Sequence, residues 1–316
     1  MNKILVISLS NIGDVILTFP VIDVLKEKFP AEQLSVVVGP RAEALLKGNP
    51  AIHKLYTFEK NTSVIEKIKW VRALAREQFH LVVDLRNTAI PFFLSPKFRT
   101  PFFRDKSGPE HRKFRHLECL RTVFPFHSEA KHRYALYITG EDKRHVEGLI
   151  KENTLGEKFI VIGPGAANHT KQWKADGFAA LSDALIEKHK KKIVFVGDQS
   201  DAEVAAEVKK KMKNPVINLC GKTTLLQLAE LMRHSSVVVA NDSAIMHLAS
   251  YLDVPTAAIF GPTDPKKYGP WSTKNVIIKR DLFCSPCEKS GCAYNHECMG
   301  YIHPEAVLKE VSGILS

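Results

Sequence analysis

At residues 8–20 the chain reads SLSNIGDVILTFP, placing Asp14 directly after a glycine where the apolar run KILVIS gives way to an amphipathic segment. The positive end of a new helix favours the charged form of such an acid, and Gly13 leaves room for close approach, so Asp14 could take a proton from an attacking hydroxyl. The plainer reading is an acid that serves only the helix dipole. A second constellation is ANDSAIMHLASYLDVPTAAIFGPTDP, residues 240–265, in which the buried strand SVVVA ends in Asn-Asp-Ser. Asn241, Asp242 and Ser243 together are expected to cap a helix whose first turn, beginning with Ala244, is small enough for its amides to meet a diphosphate. His247, four residues beyond Ser243, falls on the same helical face. A third, GPGAANHTKQWKADGF at 163–178, delivers Ala166, Ala167 and Lys171 after the strand FIVIG, and Lys171 could neutralise a departing phosphate. Taken singly, these also fit a capped helix with a satisfied histidine and one lysine among many.

Two nucleotide signatures fail. SLSNIGD offers one glycine and GPGAAN lacks the third that a dinucleotide fingerprint needs, while CGKTT at 220–224 would need glycine at position 216, which is Val216. The segment CSPCEKSGCAYNHEC gathers Cys284, Cys287, Cys292 and Cys298, with His296 nearby. In a cytoplasmic chain clustered thiols point to structural zinc or an iron–sulfur site more than to disulfides, with unbridged or redox-active thiols the alternative. Cys119 and Cys220 read as small buried residues.

The elements that must position these groups follow from patterning. The 316 residues suffice for two ordinary domains. No apolar run approaches the roughly 18 residues of a membrane span, and Asp14 and Asp23 interrupt the first apolar stretch, so neither a signal segment nor an anchor is expected and the cytoplasm is the expected location. Lys and Arg exceed Asp and Glu to give a net charge of +11, which favours an anionic partner. The basic residues concentrate in KFRTPFFRDKSGPEHRKFRH, residues 97–116, either a solvated loop or a surface for an acidic acceptor or lipid headgroup. Apolar strands (KILVIS, LSVVV, HLVVDL, FIVIG, KIVFVG, VINL, SVVVA, TAAIFG) alternate with amphipathic helices, which indicates parallel sheets covered on both faces. The strand–turn–helix series restarts at FIVIG, so two doubly wound α/β domains are expected, joined near EDKRHVEGLIKENTLGEKF, with ligands beyond the carboxyl ends of the strands.

The combination of S-x-x-G-D (Ser10 to Asp14), PGA…K-x-W (Pro164 to Trp173), NDSAIMHLA and FGPTDP, in this order along essentially the whole chain, resembles glycosyltransferase family nine, the lipopolysaccharide heptosyltransferases and their relatives. The resemblance implies a GT-B fold: two Rossmann-like domains facing a cleft, an acceptor domain over 1–152, a nucleotide-sugar domain over 153–300, and a helix within 301–316 crossing back to the first. It implies an inverting transfer needing no cofactor, from a nucleotide-sugar donor such as ADP-heptose to an anionic lipid-linked acceptor. Contact with the inner membrane face would be peripheral, and nucleic acid is not an expected partner.

Carried over by position, the resemblance makes Asp14 the base and Lys171 the lysine at the donor phosphates. Asp242, Ser243, Ala244 and His247 become the cradle of diphosphate and sugar. Ala166 and Ala167 stand where heptosyltransferase I carries hydroxyl residues, and Ala244 where family members often carry glycine. Asp201 or Glu203 would meet the ribose. Acceptor contacts are assigned to Ser10, Gly13, Arg86, Arg104, Arg112 and His116. Two other classes remain open at this stage: a nucleotide-dependent oxidoreductase on the same fold, and a non-catalytic binder of anionic surfaces or nucleic acid.

Overall fold

Continuous apolar runs such as KILVI and QLSVVV can be buried on both faces only when helices cover both sides of a parallel sheet. The computed structural model, which describes residues 2–9, 11–102, 110–156 and 158–316, contains this arrangement twice. In the first unit, Met1–Tyr137, β1 (Lys3–Ile7), β2 (Gln33–Val38), β3 (Lys54–Thr57), β4 (Leu81–Asp84) and β5 (Phe98–Arg99) form a parallel sheet ordered β3-β2-β1-β4-β5. In the second, Ile138–Ser316, β6 (Phe159–Gly163), β7 (Ile193–Phe195), β8 (Ile217–Asn218), β9 (Ser235–Asn241), β10 (Thr256–Phe260) and β11 (Asn275–Lys279) are ordered β11-β10-β9-β6-β7-β8, again all parallel.

Both orders reverse beside the first strand of the unit, between β1 and β4 and between β6 and β9. At such a reversal successive connections leave on opposite faces of the sheet, which opens a crevice at the strands' carboxyl ends. Register fixes what meets there. Ile7 pairs with Asp84 and Gly163 with Ala240, so the polar turns that follow each of these strands start side by side.

Each unit has its own core. Leu5, Ile7, Val37 and Val82 pack with Leu74, Phe79 and Ile90 in the first; Ile160, Ile162, Phe195, Val237 and Val239 pack with Trp173 and Phe178 in the second. The boundary falls at Tyr137/Ile138 rather than after residue 152. The reason is the helix Gly140–Glu152: a Thr139/Asp142 capping box starts it, Val146 is buried, and it packs on the helix Leu225–Arg233 of the second unit. The final helix, Pro304–Leu315, also departs from expectation. It buries Val307 and Val311 in the second unit's core, and Ser312 meets His189 at 2.9 Å, so its apolar face is already covered there. The segment after β1 forms two helices, Ile12–Ile16 and Phe19–Lys28, separated where the Thr18 hydroxyl donates to the Val15 carbonyl at 2.6 Å.

Candidate active site

The second unit's switch point is built around Asn241, the last residue of β9. Its carboxamide carries both an acceptor and two donors: Oδ1 accepts from the Trp173 N–H at 3.1 Å, and Nδ2 donates to the carbonyls of Pro164 (2.9 Å) and Gly165 (3.2 Å). One buried side chain thus ties both ends of the loop after β6 to the end of β9. Gln172 closes the loop by donating to the Ala166 carbonyl at 3.1 Å, and Trp173 anchors it through Nε1 to the Ile302 carbonyl. Within this frame Lys171 Nζ lies 2.7 Å from Asp242 Oδ2, and His247 Nε2 lies 3.8 Å from Asp242 Oδ1. The Trp271 ring stacks on His247 at 5.8 Å. Asp242 is almost fully buried while the lysine side chain is 29% exposed, so a buried negative charge holds a reachable cation.

Ser243 is the N-cap of the helix Ala244–Leu252, as its position suggested, but its hydroxyl makes no capping hydrogen bond. The buried hydroxyls of Ser243, Thr170 and Thr263 have no hydrogen-bond partner among the described residues. They follow β9, β6 and β10, three adjacent strands. Buried hydroxyls normally find partners, and together with the first-turn amides of a nine-residue helix they are suited to phosphate oxygens.

Asp201 does not reach outward. Its Oδ2 accepts from the Asp198 N–H at 3.0 Å, and a Cβ built on Gly165 would lie 1.8 Å from its Oδ1, so the carboxyl fills the space against that loop. Burial, more than the neighbouring Asp198 charge, pushes its carboxyl above the ordinary value. Ala166 is half-buried and Ala167 exposed on the same loop, and Glu203 is exposed.

In the first unit the switch point brings Asp14 and Arg86 together, with Nη1 of Arg86 3.8 Å from Asp14 Oδ1 and each side chain about 30% exposed. Asp14 sits in the first turn of the helix Ile12–Ile16, and Gly13 is inside that helix rather than before it. The loop carrying Arg86 is shaped by Asp84, which accepts from the N–H groups of Arg86 (2.9 Å) and Thr88 (2.6 Å). Arg112 and His116 lie on the helix Arg112–Arg121, Arg112 half-buried and His116 only 7% exposed. Ser10 and Arg104 lie outside the described residues.

Cys284, Cys287, Cys292 and Cys298 line one cavity of about 290 Å³ with His296 and Thr170. The expectation of a structural metal is not supported: among the described residues no group of three or more His, Cys, Asp or Glu side chains converges to hold an ion. The thiols are spread around the cavity, Cys287 and Cys292 exposed and Cys298 buried, and Cys292 Sγ accepts from the N–H groups of Tyr294 and His296 at 3.3 and 3.2 Å. Burial raises the Cys298 thiol, and with help from Asp201 and Asp198 it pushes the Cys220 thiol up to about 12. Cys220, like Cys119, is a buried structural residue.

Two parallel-sheet Rossmann-like units with polar loops at their switch points describe a GT-B type glycosyltransferase, and comparison with known proteins agrees. The profile of "Glycosyltransferase family 9 (heptosyltransferase)" matches residues 127–297, and the chain belongs to that family. It is 26% identical to the lipooligosaccharide heptosyltransferase 2 of Campylobacter jejuni subsp. jejuni serotype O:6 over 308 residues, covering 95% of each chain. The crystal structure of a family 9 glycosyl transferase from Veillonella parvula superposes with a TM-score of 0.84 at 23% identity, covering 99% of this chain and 97% of the other. The E. coli ADP-heptose LPS heptosyltransferase II superposes with a TM-score of 0.78 at 23% identity, over 99% and 98%.

Proposed function

We propose that the protein transfers a heptose or related sugar from an ADP-sugar to an anionic, lipid-linked acceptor of the lipopolysaccharide-core type, inverting the anomeric centre without a metal. The observation that carries the donor half is Lys171 and His247 both held against buried Asp242, with buried hydroxyls on the neighbouring loops that have no partner among the described residues. The diphosphate would lie on the start of the helix Ala244–Leu252, with Lys171 offsetting the charge that builds as it leaves. Asp242 is a positioning residue for Lys171. Asp14 would take the acceptor hydroxyl's proton while that oxygen bonds the anomeric carbon. The carbon–phosphate oxygen bond breaks, and its electron pair leaves with the diphosphate. Arg86, beside Asp14, would pair with an acidic group of the acceptor. No helix among the described residues is long and apolar enough to cross a membrane, and we place the reaction at the cytoplasmic face of the inner membrane.

The test is ligand-induced thermal stabilisation, since a ligand that binds only the folded state raises the midpoint. ADP and ADP-heptose are expected to raise it, and Lys171→Ala to reduce the rise. Asp14→Asn should keep the full rise while turnover disappears. Stabilisation by NADH and by no ADP-sugar would overturn the assignment.

A further inference from the structure

Trp271 is half-buried and stands outside the core that holds Trp173 and Phe178. A tryptophan that the core does not use needs another reason for its place, and the chain fixes it on both sides. Before it, the short helix Pro265–Tyr268 ends where the Gly269 N–H donates to the Pro265 carbonyl at 2.7 Å; a Cβ built on Gly269 would lie 2.5 Å from that oxygen, so a side chain does not fit the turn. After it, Thr273 donates its N–H and its hydroxyl to the two oxygens of Asp253, at 2.6 and 3.0 Å. Asp253 ends the helix Ala244–Leu252. The loop is therefore latched to one end of the helix that carries His247 near its other end, and it lays the indole on the imidazole with the ring centres 5.8 Å apart and the planes 28° from parallel.

We propose that Trp271 is a positioning residue for the donor site: its indole holds the His247 imidazole in the orientation that meets the diphosphate. The 3.8 Å between His247 Nε2 and Asp242 Oδ1 is longer than a hydrogen bond, so attraction to that carboxylate does not by itself set the plane of the ring. A stacked neighbour does, because turning the imidazole about its Cβ–Cγ bond would break the offset contact between the two faces. Lys171 takes the other oxygen of Asp242. Lysine and imidazole thus share one buried carboxylate, and a ring already held in place lowers the entropy cost of meeting the donor. The inference deepens the donor-site reading of Lys171, Asp242 and His247 and rests on it. A plain packing role for the indole would weaken the fold without reference to His247, whereas a positioning role makes its effect on the ligand pass through that side chain.

Calorimetric titration of the full chain with ADP, run as a double-mutant cycle, tests this role. Trp271→Leu is expected to weaken ADP binding about tenfold in the parent but less than about twofold in the His247→Ala background. Trp271→Phe, which keeps a flat ring, should stay within about threefold of the parent. Equal losses in both backgrounds, no loss in the parent, or a Phe variant as weak as the Leu variant would overturn positioning through His247. A ligand-free measurement decides the matter where Trp271→Leu folds poorly. In the parent, the ring current of the stacked indole should shift the His247 ring-proton resonances, identified by their absence in His247→Ala, and Trp271→Phe should reduce that shift. His247 resonances at ordinary positions in the parent would overturn the stack itself. Failure of ADP to bind the parent would remove the donor-site reading and this role together, whereas ADP binding with additive losses removes the role of Trp271 alone.

Discussion

The 2.7 Å contact between Lys171 Nζ and Asp242 Oδ2 joins the loop after β6 to the loop after β9 at the point where the sheet order reverses. A buried carboxylate there needs a cation whether or not a ligand is bound, so the lysine is held in place before any phosphate arrives. A diphosphate would then meet an ordered cation rather than a mobile side chain, which lowers the entropy cost of binding.

The pair is expected to behave as a unit in folding. Lys171→Met keeps the stem but leaves the Asp242 charge buried, and is expected to cost about 2–3 kcal/mol, somewhat less than for a fully enclosed pair because Lys171 is partly exposed. Asp242→Asn in the same chain should recover a large part of that loss. Urea denaturation of the two single variants and the double variant reads the coupling directly. Additive losses would mean that the contact contributes nothing to the fold.

Stability in acid should depend on Glu77. The Lys54 ammonium at 2.6 Å, then Lys3 at 2.9 Å and the Tyr56 hydroxyl, hold its carboxyl at about 2, down from 4.5. A carboxyl lowered on folding stabilises fully above its unfolded value, and that contribution is lost as pH falls from 4.5 toward about 2. Because the lysines are partly exposed, screening reduces the gain to about 1 kcal/mol. Glu77→Gln is therefore expected to be less stable at neutral pH by about that amount and to converge with the parent as pH drops through this window. Urea midpoints across the window check it; a constant difference at every pH would contradict the ion pairs as the cause.

Much of this was legible in the residues because buried parallel strands write themselves as unbroken apolar runs. KILVI, FIVIG and SSVVVAN were readable in this way, and the turns after them contained Asp14 in the first unit and, in the second, Lys171 and Asp242, which the structure pairs. The edge strands β3, β5 and β11 were not, since KLYT, FR and NVIIK are mostly exposed or half-buried and carry no such run. The final helix has an apolar face that fits a core of either unit, so sequence could not say which one it covers. Asn241 was quoted only as part of a cap. Its three hydrogen bonds go to residues more than 65 positions away, a relation that local spacing does not carry.

Asn241 is therefore the residue whose removal should loosen the donor loop most. It is fully buried, and Asn241→Leu would leave the Trp173 N–H and the Pro164 and Gly165 carbonyls without their partner. Unsatisfied buried groups cost about 1–3 kcal/mol each before relaxation, so a total loss of roughly 3 kcal/mol is expected. Asn241→Asp should also destabilise, because it keeps an acceptor for Trp173 but turns oxygen toward two carbonyl oxygens. Hydrogen exchange separates a local role from a general one: amides of residues 165–173 should lose protection in Asn241→Leu well before those of β6 and β9. If that loop stays protected while the midpoint falls, Gln172 and Trp173 hold it without the latch, and Asn241 serves only the strand end.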